Sequence, residues 1–189
     1  MKNRAEQWDT KFAKRLIEDL SPRIQKDIQS IPIPKIDKVE GTYLWGKIGS
    51  GKTIQAVFMM LAKQRNDFIN RYPDSGKCIF ITVPELLLEF KAIYSANEGP
   101  TESELVEKYS EVSLLVLDDF GVERTTDWSF QLLYIIINRR YENMKMTIFT
   151  SNFNLAELAE KLGDDRIPSR IQQMCKIVKS KDVNYRERK

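Results

Sequence analysis

Apolar residues along this chain follow two rhythms. The first is the short unbroken run: Tyr43-Leu44-Trp45 within 42–45, Cys78-Ile79-Phe80-Ile81-Thr82-Val83, Leu114-Leu115-Val116-Leu117, Met146-Thr147-Ile148-Phe149-Thr150 and Cys175-Lys176-Ile177-Val178. Runs of this length predict five strands buried in a sheet. The second is the longer stretch with spaced apolar positions, which predicts helices over 53–71, 84–96, 102–109, 127–143 and 154–162, continuing helically over 169–174. Tyr72-Pro73-Asp74-Ser75-Gly76 reads as a turn, Asp127 as a helix N-cap and Gly163 as a left-handed helix stop. Strands alternating with helices predict an α/β fold with a parallel sheet covered on both faces. There is no internal repeat and no low-complexity segment.

The first 30 residues also carry the helical rhythm, with Trp8, Phe12, Leu16, Ile17 and Leu20 separated by charges. Ser21-Pro22 ends one helix and opens the next, and Ile31-Pro32-Ile33-Pro34 reads as an extended linker. Residues 1–34 are therefore expected to form a helical arm ahead of a core at 35–189. Its apolar stripe suits packing on the core and docking of a partner equally.

A length of 189 residues allows one domain plus such an arm. Hydrophobic content of 42% with 30% charged residues fits a soluble globular chain. No apolar run is long enough to span a bilayer, and the start lacks the apolar segment of a signal peptide, so the expectation is a cytoplasmic protein with no membrane partner. The net charge of +3 announces no strong field for nucleic acid. Residues 176–189 are locally basic, with six Lys/Arg against two acids, and suit either a phosphate-contacting tail or a solvated terminus. There is no histidine, which excludes imidazole as a general base. Cys78 and Cys175 are expected as reduced core residues of strands, with a disulfide as the alternative; two cysteines without histidine argue against structural zinc.

Gly46-Lys47-Ile48-Gly49-Ser50-Gly51-Lys52-Thr53 changes the picture, because it fits G-x-x-x-x-G-K-[ST], the phosphate-binding P-loop. Gly46, Gly49 and Gly51 let the backbone turn its N–H groups inward around a polyphosphate, with Ser50 in the same cradle. Lys52 reaches toward the β- and γ-phosphates of ATP, and the Thr53 hydroxyl suits Mg²⁺. A predicted strand before the loop and a predicted helix after it form the context that separates this motif from a chance match.

About 65 residues further on, the third strand runs out in Asp118-Asp119. An acid at the end of such a strand suits Mg²⁺, here Asp118, while Asp119 suits orienting or deprotonating an attacking water. Two adjacent carboxylates repel unless a cation lies between them or one faces solvent, so an ionised Asp118 is expected beside Mg²⁺. Thr150-Ser151-Asn152 ends the fourth strand, where a polar side chain can sense the γ-phosphate. Asn152 also suits a helix N-cap, as does Asn154; strand position favours the sensing role. Arg166 and Arg170 suit either a transition-state contact made in trans or ion pairing with Glu160, Asp164 or Asp165.

Together these stretches resemble one family. Tyr43-Leu44-Trp45-Gly46 leading into Gly49-Ser50-Gly51-Lys52-Thr53, Leu115-Val116-Leu117-Asp118-Asp119-Phe120-Gly121, Thr150-Ser151-Asn152 and Arg166-Ile167-Pro168-Ser169-Arg170-Ile171 are similar to the AAA+ ATPases that load bacterial replicative helicases, DnaC and DnaI, and to the related IstB transposition helpers. So is the ending Asp182-Val183-Asn184-Tyr185-Arg186. The likeness covers roughly residues 40–186. It implies a P-loop NTPase of three αβα layers, with a five-stranded parallel sheet ordered 5-1-4-3-2 and no helical lid. It further implies Asn152 as sensor 1, Arg170 as the arginine finger with Arg166 second, and residues 84–109 as the DNA-facing helices. The N-terminal region is shorter than loaders carry and lacks zinc-binding cysteines, and the small size points to a phage or mobile-element version acting in a bacterial cytoplasm.

The leading expectation is an ATP-hydrolysing loader that self-associates on single-stranded DNA and delivers a replicative helicase. A transposition helper gripping duplex DNA shares the same core. A small-molecule P-loop kinase needs an arginine-bearing lid that 80–94 does not supply, and a non-hydrolysing switch sits poorly with complete nucleotide motifs. Residues 84–109 hold only Lys91 and Lys108 as basic groups, so DNA contact there would use backbone amides, Tyr94 and Ser95 and depend modestly on salt.

Overall fold

A computed structural model describes residues 17–18, 20–29, 36, 38–70, 77–94, 99–123 and 126–181. The apolar positions at 8, 12 and 16, the linker at 31–34, the turn at 72–76, Ser95 and the ending at 182–189 lie outside the described residues.

The elements in chain order are α1 (Pro22–Gln29), β1 (Thr42–Trp45), α2 (Lys52–Asn70), β2 (Cys78–Thr82), α3 (Val83–Ile93), α4 (Glu102–Glu111), β3 (Leu114–Phe120), α5 (Asp127–Glu142), β4 (Met146–Ser151), α6 (Leu155–Leu162), α7 (Arg166–Met174) and β5 (Lys176–Lys179). The strands form one parallel sheet of order β2-β3-β4-β1-β5, which is the expected 5-1-4-3-2 read from the other edge.

Alternation along each strand divides the core between two faces. Leu44, Leu114, Val116 and Ile148 pack against Ala56, Val57, Met60 and Leu61 of α2. Leu20 and Ile28, from either end of the described arm segment, are buried in this same cluster. Tyr43, Leu115, Leu117 and Phe149 face the opposite layer, built from α3 through α7. The result is the expected three-layer αβα arrangement, with β1, β4 and β3 adjacent at its centre.

Several boundaries differ from the sequence reading, each for a local reason. The N-cap of α5 is Thr126, not Asp127: Thr126 and Ser129 exchange side-chain and backbone hydrogen bonds, which leaves Asp127 in the first turn. Helix α7 starts at Arg166, three residues early, with Pro168 accommodated in its first turn. Cys175 is no strand residue but the C-cap of α7, its N–H donating to Ile171 O. Both cysteines are free, and burial pushes the Cys175 thiol up to about 12. Gly163 ends α6 with φ 67°, as expected.

Arg140 was not anticipated as a structural residue. It is 0% exposed, yet every hydrogen bond found for it goes to an oxygen of the surrounding frame. Its Nη1 donates to Tyr109 O, Ser110 O and Val112 O at the end of α4, Nη2 to Met146 O, and Nε to Thr147 Oγ1 on β4. One guanidinium thus satisfies the last carbonyls of α4 and ties that helix to the sheet. Burial pulls its pKa down to about 10, so it remains charged at neutral pH. Arg140→Met should cost about 3 kcal/mol in urea unfolding, because it strands these carbonyls. Arg140→Lys should recover only part of the loss, since an ammonium offers three donors where five bonds are made.

Candidate nucleotide site

The carboxyl ends of β1, β3 and β4 meet at one edge of the sheet, where open α/β sheets bind ligands. β1 passes into the loop 46–51 and then α2. The turn requires glycine at two points, Gly49 and Gly51, both at φ 82°. Gly46 is held by its N–H donating to Ser151 O (3.2 Å), so the loop starts from β4's end as well as β1's. The start of α2 turns its positive dipole end toward the loop.

Lys52 is only 6% exposed, and its Nζ donates to Gly46 O (2.8 Å), Lys47 O (2.9 Å) and Asn152 Oδ1 (3.0 Å). The ammonium therefore folds back over its own loop. Ser50 is 1% exposed, and its hydroxyl has no hydrogen-bond partner among the described residues. A buried hydroxyl without a partner among the described residues, in the same loop as a buried ammonium, suits an anion.

Asp118 supplies the opposite charge. It is 3% exposed at the end of β3, and accepts from Thr53 Oγ1 at 3.0 and 3.1 Å and from Thr150 Oγ1 at 2.5 Å. Burial pushes its pKa up to about 6; the hydrogen bond from Thr150 opposes this and the charge of Asp119 adds to it. A carboxyl of that value is mostly ionised at pH 7. Thr53 and Asp118 together form a small oxygen cluster facing the phosphate loop, which suits a divalent cation that takes its other ligands from phosphates and water.

Of the two N-cap candidates read from the sequence, Asn154 takes the cap. Asn154 caps α6, its Oδ1 accepting from Glu157 N–H (3.0 Å) while Glu157 accepts in return from Asn154 N–H (2.8 Å). Asn152 instead meets Lys52. Asp119 lies next to Asp118, half-buried, in a left-handed conformation at φ 57°. A non-glycine residue in that region costs about 1 kcal/mol and must be held there.

The two arginines stand apart from this cluster. Arg166 pairs with Asp164 through Nε (3.0 Å) and Nη2 (2.8 Å) and lies over the rings of Phe130 and Tyr134. Arg170 donates from Nε to Asn138 Oδ1 (2.9 Å) and lies over Tyr141, on the seam between α5 and α7. Sequence reasoning passed over Thr150, whose only signal was a hydroxyl residue two places before Asn152.

A parallel sheet of this order, with a P-loop after β1 and an acid at the end of β3, defines an AAA+ type P-loop NTPase. Residues 1–189 match the family described as IstB-like ATP binding protein, and the chain belongs to that family. It is 31% identical over 122 residues to the replicative helicase loader DnaI of Bacillus subtilis, an alignment covering 64% of this chain and 36% of DnaI. It is 29% identical over 120 residues to the replicative helicase loader DnaC of Escherichia coli K12, covering 63% of this chain and 45% of DnaC. The matches thus span less than half the length of either relative. The fold overlays a crystal structure of the DnaC helicase loader with TM-score 0.62 at 24% identity, covering 95% of this chain and 92% of that one.

Two outcomes follow from the raised Asp118 value. A folded-state pKa above the ordinary carboxyl value stabilises the nucleotide-free protein at low pH, and that contribution is lost as pH rises through about 6. Asp118→Asn should therefore melt no lower than wild type at pH 8 by calorimetry, yet lose Mg²⁺-dependent nucleotide binding. In the wild type, the Mg²⁺ needed to half-saturate an ADP complex should fall roughly tenfold between about pH 5 and pH 7, as the proton leaves.

Proposed function

We propose that this chain is an ATP-hydrolysing helicase loader that assembles on single-stranded DNA. The observation that carries the reading is the convergence of Lys52, Thr53, Asp118 and Asn152 at one sheet edge in a chain whose relatives include DnaC and DnaI. In this reading the loop amides of Gly46, Gly49, Ser50 and Gly51 cradle the polyphosphate. Lys52 turns from its carbonyls onto the β- and γ-phosphates, and Thr53 and Asp118 hold Mg²⁺, which neutralises phosphate charge when bound. Asp119 orients the attacking water, Asn152 contacts the γ-phosphate, and Arg170 acts on a neighbouring copy's nucleotide.

The DNA-facing surface is assigned to α3 and α4. Lys108 is engaged there by Glu89 (2.7 Å) and the Tyr109 ring. Lys91 lies over the Trp128 ring, and Tyr94 is exposed close by in sequence, its hydroxyl on Glu102 (2.5 Å). One exposed ring, Tyr94, and the half-buried Trp128 beside a single lysine suit stacking on unpaired bases more than neutralising a duplex backbone. Membership of the IstB-like ATP binding protein family keeps one second reading open, a transposition helper on duplex DNA that rests on likeness to the IstB helpers. The helicase partner and the docking role of the arm rest on likeness to the loaders; at Leu20 and Ile28 the arm's apolar side is already used against α2.

Turnover of ATP should rise with single-stranded DNA and less with duplex, alongside growth in particle size by light scattering. Preferential assembly on duplex would select the transposition reading, and no response to either DNA would contradict both. Arg170→Ala should keep nucleotide affinity and lower turnover of the assembled protein roughly a thousandfold.

A further inference from the structure

The ladder between β3 and β4 is regular from Leu114↔Met146 to Leu117↔Phe149, then slips. Its next pair is Phe120↔Ser151, so β3 advances three residues where β4 advances two. Asp118 and Asp119 occupy this bulge, and Asp119 carries its φ of 57°. A bulge breaks the run of backbone bonds, so something else must hold its geometry.

Two hydroxyls of β4 do so. Thr150 Oγ1 accepts from Asp119 N–H (3.0 Å) and donates to Asp118 Oδ1 (2.5 Å). Ser151 Oγ donates to Phe120 O (2.7 Å) and accepts from Phe153 N–H (3.1 Å). Both residues are fully buried. Thr150 thus uses its one donor on the first carboxylate and an acceptor on the backbone of the second acid. The β-branch restricts the torsion that aims the hydroxyl. The next residue but one, Asn152, touches Lys52, so one strand end contacts both the cationic and the acidic side of the site.

We infer that Thr150 is a positioning residue for both acids: it fixes the Asp118 carboxylate toward Thr53 and holds Asp119 in its left-handed conformation. This rests on the reading of Asp118 and Asp119 given above. Thr150→Val keeps the shape and the β-branch but removes donor and acceptor together. Asp118 then keeps only Thr53 of its two hydroxyl donors, and the Asp119 N–H has no partner to hold the bulge. Thr150→Ser keeps the hydroxyl.

The test is fluorescent ADP binding as Mg²⁺ is varied, with melting temperature recorded for each variant. Thr150→Val should raise the Mg²⁺ needed for half-saturation roughly tenfold, as loss of partners behind metal ligands does. Its nucleotide affinity without Mg²⁺ should stay unchanged, and Thr150→Ser should restore the Mg²⁺ requirement. Thr150→Val with the wild-type requirement overturns the inference while leaving the nucleotide site standing. A wild type whose ADP binding ignores Mg²⁺ overturns the site reading and the inference with it. A second measurement needs no variant: amide exchange in the wild-type protein should show Asp119 N–H protected, although its acceptor is a side chain. Fast exchange there, at the rate of an open loop, overturns the inference independently of whether Thr150→Val folds.

Discussion

A carboxylate buried at the end of an apolar strand is tolerable only if its charge is met, and the site is organised around meeting it. Asp118 has Thr53 from α2 and Thr150 from β4 as hydrogen-bond donors. Those donors can reach it because β4 lies between β3 and β1, so that the loop after β1 and the ends of β3 and β4 share one edge. The partial compensation is visible in the pKa: burial raises it to about 6 even with both hydroxyls in place. Such an arrangement suits a divalent cation, and the folded-back ammonium of Lys52, in the same loop as the buried Ser50 hydroxyl, is the part of the site that suits an anion.

Much of this was legible in the chain because the signals are local. Strands buried on both faces read as unbroken apolar runs, and the glycines of the phosphate loop sit where the backbone needs positive φ. The third strand was read as running out in Asp118-Asp119, but its continuation through a bulge to Phe120 was not, because two adjacent acids look like an exit to a loop. That continuation depends on hydroxyls from β4, about thirty residues away, and no periodicity within β3 reveals them. Arg140 was hidden for the same reason: its oxygen partners belong to α4, to the segment before β3 and to β4. Asp127 lost the cap to Thr126 over one residue, a distinction that turns on which side chain reaches the third amide of the helix.

Charge distribution separates the buried cluster at the sheet edge from the two arginines of α7. Asp118 and the ammonium of Lys52 are buried and Asp119 is half-buried, whereas Arg166 and Arg170 stand on the α5–α7 surface, held by Asp164, Asn138 and aromatic rings. A guanidinium already oriented by a neutral amide and a ring loses less freedom when it meets phosphate charge than one on an unsupported stem. Arg166, in a bidentate pair with Asp164, would have to give up that pair first, which ranks it below Arg170 for the same task.

The claim on which the rest depends is that Lys52 leaves its carbonyls for a polyphosphate. Calorimetric titration of a non-hydrolysable ATP analogue with Mg²⁺ into wild type and Lys52→Ala tests it directly. Wild type should bind with one site per chain, and Lys52→Ala should lose at least about tenfold in affinity while keeping the wild-type fold by circular dichroism, as expected for removing one charge-assisted contact. A folded Lys52→Ala protein that binds the analogue as tightly as wild type would contradict the account.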